Sequence, residues 1–171
     1  MTAFIEALHA KGPNPERADK LGLYAFLVGD WDMDTVGHAP DGTRHTGRGE
    51  IHAGWVLEGR AIQDVWIVPA REVRRAGPPG PFDFYGTTLR VYDPGLDAWH
   101  IIWMDGMKPL FRRQLGRASG ADIVQLGDID GGGKSRWRFT EITPNSFHWL
   151  GERSSDGTSW TLLTEYYARR R

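Results

Sequence analysis

The chain has 171 residues, a formal net charge of −1 and no cysteine. That length is enough for one domain with a core of useful size. The near-zero charge gives no electrostatic case for nucleic acid or an anionic membrane, and the lack of cysteine excludes disulfides, thiolate metal sites and a cysteine nucleophile.

The opening stretch, MTAFIEALHAKGPNPER, is short and broken by prolines. It lacks the charged start and long apolar run of a secretory signal. No later run approaches the roughly 18 apolar residues of a membrane helix, so the expected location is cytoplasmic, with no membrane partner. Ile5 to Ala10 reads as a short helical turn that Gly12-Pro13 ends. Arg17 to Val28 places Leu21, Tyr24, Ala25 and Val28 at helical spacing, and Gly29 can end that helix.

After Gly29 the period changes to two. Strands are predicted at 30–37, 45–56, 61–68, 83–92, 97–105, 110–117, 122–129, 135–142, 147–154 and 159–168. Turn signals such as Asp41-Gly42, Pro94-Gly95, Ser119-Gly120, Pro144-Asn145 and Asp156-Gly157 separate them. Eight tryptophans and 22 glycines suit a β protein with aromatic packing and tight turns. Residues 69–82 form a longer, proline-rich and basic loop, expected at the surface or as a lid. Gly131-Gly132-Gly133-Lys134-Ser135 lacks the spacing of a phosphate loop and precedes a strand, so it reads as a hairpin turn.

About ten consecutive antiparallel strands must bury their edges, and closing into a barrel does that. The expected fold is therefore mainly β. It is a single closed antiparallel barrel over residues 29–171 with a helical segment before it, the whole chain forming one domain. In Ala98 to Asp105 the alternate sets are His100/Ile102/Met104 and Trp99/Ile101/Trp103. Both are largely apolar, which predicts protein on each side, supplied by the N-terminal helix or by a homodimer partner.

Particular motifs carry a resemblance. Gly29-Asp30-Trp31 stands just after a helix at the start of the first long strand, and the last strand carries Tyr166-Tyr167-Ala168-Arg169. This resembles the Gly-x-Trp opening and late arginine of the lipocalin-like (calycin) barrels. The resemblance implies that Trp31 closes one end of the barrel against Arg169 or Arg170. The succession VGDWD, GWVLEGRAI, YGTTLRVYDP, WHIIWMD and TEYYARR is also similar to a bacterial family of lipocalin-like barrels whose function is not established. It implies fold and ligand-binding capacity over most of the chain after Leu23. Nitrobindin-like haem barrels are similar in shape, but their glycine-rich stretch after the tryptophan is replaced here by Asp32-Met33-Asp34.

Hairpin geometry nominates the site residues. With Asp156-Gly157 and Pro144-Asn145 as two-residue turns, His148 lies between Glu141 and Glu165 on one face. Carboxylates beside an imidazole favour its charged form and orient the ring, as a general acid or base requires. The same face reads equally as a polar ladder on the outer wall. The opposite face then carries Arg136, Arg138, Phe147, Trp149, Arg153, Trp160 and Tyr166, which suits either a cavity or an aromatic core with arginines at its rim. With Asp41-Gly42 as a two-residue turn, Trp31 opposes His52 and Met33 opposes Glu50. This places Glu50 and His52 inside, as ligand contacts or as hydrogen-bonded structural groups. The same turn sets His38 against His45, two ligands where zinc needs three or four, so no metal is expected.

His100 would be a polar group in the cavity, or an axial ligand if haem is bound. The expected function is binding of a small hydrophobic molecule, with Trp31, Glu50, His52, His100, Trp103 and Trp149 as contacts. The alternatives are a cofactor-independent isomerase, cyclase or lyase using His148, Glu141 and Glu165, and a haem protein using His100 or His148.

Overall fold

The computed structural model describes residues 2–171, so Met1 of the expected domain lies outside the described residues. A short helix α1 (Ala3–Leu8) leads into a two-residue strand β1 (His9–Ala10). A 3-10 turn at Pro15–Arg17 precedes α2 (Ala18–Leu21), and a second 3-10 stretch covers Gly22–Leu27. Ten long strands follow: β2 (Gly29–His38), β3 (Arg44–Val56), β4 (Ala61–Val68), β5 (Phe84–Asp93), β6 (Ala98–Asp105), β7 (Phe111–Ser119), β8 (Asp122–Asp128), β9 (Lys134–Thr140), β10 (Ser146–Ser154) and β11 (Thr161–Arg170). Each lies within two residues of its expected range at either end.

All ten are antiparallel neighbours in one sheet, and pairing of β3 with β4 closes it into a barrel. The last strand returns to pair with the first, Arg170 opposite Trp31. The short β1 adds outside the ring, on the Trp55 and Val56 end of β3. Closure leaves no open edge among the ring strands, which is the reason so many short strands can coexist in one small sheet.

The single expected helix over 17–28 is instead an α turn continued as 3-10. Gly22 weakens the α form, and the apolar residues repeat every three positions. In a 3-10 helix such residues eclipse, so Leu21, Tyr24 and Leu27 share one buried face while Ala25 is exposed. That face plugs one end of the barrel. Tyr24 meets Trp99 and Phe139 edge to face, at 5.1 and 6.1 Å between ring centres. Gly116 on β7 makes room for it, because a Cβ there would collide with the Tyr24 hydroxyl. Burial of each such side chain contributes roughly 1.5–3 kcal/mol.

Alternation decides the rest of the core. Trp99, Ile101 and Trp103 of β6 face inward and are buried, while Ile102 and Met104 face out at 38% and 50% exposure. Protein therefore lies against one side of this strand among the described residues. Among the described residues no helix is long and apolar enough to cross a membrane.

Candidate functional site

Beyond the plug the barrel is not filled. A cavity of about 170 Å³ opens between the inner faces of β4, β5, β6, β9, β10 and β11. Its wall is aromatic: Trp66, Phe84, Trp103, Trp137, Trp149 and Tyr166. Trp149 and Tyr166 stack face to face at 4.8 Å, and Trp66 leans on both. Such large, mutually braced rings form a stiff apolar surface. The volume resembles the ~150 Å³ hollow that accepts a benzene ring, and it lies below the ~300–1,000 Å³ of drug-sized sites. A wider depression of about 670 Å³ lies on the outer wall, around His100, Arg113 and Leu126, and is polar and apolar in equal measure.

Inside this wall sits one ion pair. Asp64 on β4 and Arg90 on β5 are almost wholly buried, and Arg90 Nη1 donates to Asp64 Oδ2. Asp64 also accepts from the Thr88 backbone N–H at 3.2 Å. Residue 64 pairs with residue 88, and residue 90 stands two positions further along the same face, so strand register alone brings the two charges together. The guanidinium lies over Tyr24 and Phe139, at 5.3 and 5.9 Å from their ring centres. Burial pushes the Tyr24 hydroxyl well above the ordinary tyrosine range despite that cation and the Gln125 hydrogen bond. Arg90 Nε and Trp66 Nε1 are buried without a hydrogen-bond partner among the described residues.

Of the expected contacts, Trp103 and Trp149 line this cavity. Trp31 does not. It is wholly buried at the plugged end, where Nε1 donates to the Leu27 carbonyl at 2.8 Å and Arg170 lies 4.1 Å above its ring. Arg170 also donates to the carbonyls of Phe26, Val28 and Pro144. The Trp31–Arg170 closure therefore matches the resemblance, whereas Arg169 points outward to Asp34 at 2.6 Å.

Three other expectations about direction are corrected. The first hairpin is not a two-residue turn. Ala39 and Thr43 are bonded across Pro40, Asp41 and Gly42, and Gly42 takes φ +85°. That extra residue shifts register by one, so His52 opposes Asp30, Glu50 opposes Asp32, and His45 opposes Gly37 rather than His38. Glu50 and His52 stand on the outer wall. His52 Nδ1 lies 2.7 Å from Asp30 and its Nε2 2.9 Å from Arg71 Nη2. Glu50 takes the Arg71 backbone N–H and Nε at 2.9 and 2.7 Å, and Arg171 at 3.3 Å. Hydrogen bonds from Arg71 hold its carboxyl far below the usual glutamate range. This cluster fastens the start of the 69–82 loop to the barrel.

The second correction concerns Glu141. The Pro144-Asn145 turn is as expected, with Thr143 bonded to Ser146. Glu141, however, takes φ +52° just past β9 and acts as an extra residue, so Thr140 rather than Glu141 opposes His148. Glu141 makes no hydrogen bond or ion pair with His148 among the described residues. Arg136 and Arg138 move to the outer wall by the same slip, where both grip Glu152 at 2.7 and 2.9 Å. Opposite His148 on β11 stands Tyr167, and Glu165 lies two residues along the same face. His148 and Glu165 do meet, at 3.1 Å, and Glu165 also accepts from His38 and Tyr167, each at 3.0 Å. Burial alone would raise the Glu165 carboxyl, but the hydrogen bonds from Tyr167, His38 and His148 outweigh it and hold it low. His148 stacks on Tyr167 at 4.2 Å. The cluster is an ordered acid–base group, placed on the outer wall and not in the cavity.

The third is His100. It faces outward and bonds Asp93 at 2.9 Å. Neither His100 nor His148 reaches the cavity, no histidine is among its lining residues, and its volume is small. The residues present do not fit a haem held through an axial histidine.

Trp66, Arg90 and Asp64 were not nominated from sequence. A signal existed: Ile62-Gln63-Asp64-Val65-Trp66 sets a carboxylate between two large apolar residues of period two. The neighbouring strand misleads, since Leu89 and Val91 are more apolar than Thr88 and Arg90, yet the latter face inward.

The closed ring, the plug under a Gly-x-Trp strand and the terminal arginine define a lipocalin-like, calycin-type barrel. No family model matches the chain, and no curated protein does. Solved structures do. The chain is similar to Rv2717c from M. tuberculosis at 11% identity and TM-score 0.60, over 93% of this chain and 99% of that one. It is also similar to the S-type phycobiliprotein lyase CPES from Guillardia theta at 12% identity and TM-score 0.54, over 93% and 98%. At these identities the likeness is one of fold.

Proposed function

We propose that this barrel binds a small, largely hydrophobic molecule of about single-ring size in the cavity between Trp66, Trp103, Trp137, Trp149 and Tyr166. The observation that carries the reading is the hollow itself, about 170 Å³ in an interior otherwise packed with large side chains. Protein interiors are close-packed, so an aromatic hollow of this size is a site by default. Tryptophans in its wall make binding visible. Titration of the protein with toluene should change tryptophan emission in a saturable way, and xenon should compete. A flat titration for both, in protein shown to be folded, sinks the proposal. Native mass spectrometry of fresh protein adds a check for a co-purified ligand of low mass. It also reads the homodimer we propose for the exposed outer face around Ile102, Met104 and Phe111.

A second reading has its own observation. Glu165 is nearly buried yet accepts from His38, His148 and Tyr167. Such a group suits proton transfer with His148 as acid or base, and a neighbour in fold is called a lyase. The reading requires a substrate at the outer wall. His148→Gln should abolish turnover of a substrate once found and leave toluene binding intact; unchanged turnover removes it.

A further inference from the structure

A barrel strand ordinarily turns polar side chains to solvent, and the outer wall over β5–β8 departs from this. Ladder register sets Leu89 beside Ile102, Met104 beside Phe111 and Leu115 beside Leu126, all pointing outward. Ile102, Met104, Phe111 and Leu126 are between 38% and 50% exposed. Single exposed apolar residues are ordinary, but a run of them across neighbouring strands marks a surface for a partner.

The depression of about 670 Å³ borders this run, and Phe111, Leu115 and Leu126 line it. Its charged residues are sorted by side. Arg112 and Arg113 come from β7, and Asp128 and Asp130 from β8 and the turn after it. The β7–β8 ladder ends at Leu115 and Leu126, so Arg113 stands level with Asp128 but beyond the last pair. The two form no ion pair among the described residues. Asp128 meets Lys134 of β9 at 2.7 Å instead, while Arg113 and Asp130, both exposed, make no ion pair among the described residues.

We propose that this face pairs with the same face of a second copy across a two-fold axis, with the apolar residues at the centre and Arg113 facing Asp130 of the partner subunit. This rests on the homodimer reading above and specifies how the two copies meet. A two-fold axis lays one patch against itself. A patch with cations on one edge and anions on the other then meets opposite charge at both edges. Cations and anions are balanced in the depression, which favours neither a polyanion nor an anionic lipid surface. The apolar centre supplies affinity, and the charged edges fix orientation.

Sedimentation equilibrium of the full-length protein tests this. The unaltered protein should dimerise with a dissociation constant of roughly 1–100 µM, as a small interface gives. Met104→Glu should weaken dimerisation at least tenfold. Arg113→Glu and Asp130→Arg each set like charges against one another, and each should weaken it roughly tenfold. The double variant Arg113→Glu/Asp130→Arg reverses both edges and should return to within about threefold of the unaltered protein. All three positions are exposed, and circular dichroism checks that each variant is folded. A monomer at every concentration overturns both this arrangement and the homodimer reading, as does a dimer that Met104→Glu leaves unchanged. A dimer weakened by Met104→Glu but indifferent to the single reversals, or not restored in the double variant, overturns the two-fold charge pairing and leaves the homodimer on this face standing.

Discussion

Tryptophan and arginine occur together twice inside this barrel, and the two settings differ. At the plugged end Trp31 donates to the Leu27 carbonyl, and Arg170 covers its ring while bonding the carbonyls of Phe26, Val28 and Pro144. Around the cavity Trp66 has no partner for its N–H among the described residues, and Arg90 is held through Asp64 with its Nε likewise unpartnered. The same two residue types therefore act as a closure in one place and form part of the wall of a hollow in the other. What separates them is backbone. The 3-10 stretch brings carbonyl oxygens into the barrel mouth, whereas strands β4 and β5 have committed theirs to the ladder.

The comparison breaks most visibly through volume. Trp31→Ala should cost about 3–5 kcal/mol in stability, since the site is wholly buried and braced by Phe147 at 4.9 Å. Urea denaturation reads the loss as a lower midpoint with similar slope; a change below about 1 kcal/mol would mean that the plug does not depend on it. Next comes the buried pair. Arg90→Met alone strands the Asp64 carboxylate in the core and should cost about 3–5 kcal/mol. The double variant Asp64→Leu/Arg90→Met should regain most of that. A double variant as unstable as the single one would show that Arg90 acts through packing on Tyr24 and Phe139 and not through charge.

A smaller effect sharpens the contrast between neighbours. Arg170→Met removes donors from the carbonyls of Phe26, Val28 and Pro144 and should cost roughly 1–3 kcal/mol. Arg169→Met removes only a bond to Asp34 between two exposed side chains, which is worth less than about 1 kcal/mol. Equal losses at the two positions would mean that the terminal strand is held by its ladder alone.

The strands were legible because turn residues punctuate every hairpin and the period-two pattern runs between them. The Trp31 closure was legible because its motif is local. Register was not, and it decided the site. Gly42 and Glu141 each add one residue at a hairpin, and one residue is enough to exchange inside for outside. Glu50 and His52 were thereby expected inside and lie outside, and Arg136 and Arg138, expected on the same face as Trp149, lie on the opposite one. His148 and Glu165 kept company because the β10–β11 pairing is displaced by two residues, which preserves the face. Arg90 was hidden for a different cause. Its inward position is stabilised by Asp64 on the next strand, a pairing that no single strand's pattern displays.

The last test addresses how the loop after β4 is tied down. Glu50 is held low by Arg71, so its carboxylate is ionised in the fold at pH values where the unfolded chain binds a proton. A depressed carboxyl contributes stability above its unfolded value and loses it as pH falls. The acid limb should therefore begin below about pH 4.5, the ordinary glutamate range. Because Arg71 is 55% exposed, solvent screens the pair and the contribution should be on the order of 1 kcal/mol. Glu50→Gln should lower stability near neutrality by that amount and flatten the slope between about pH 4.5 and 3. Glu152 and Glu165 are also held low, so part of the slope must survive in the variant. If the whole slope survived, the Glu50 cluster would hold the loop by hydrogen-bond geometry, with its charge contributing nothing.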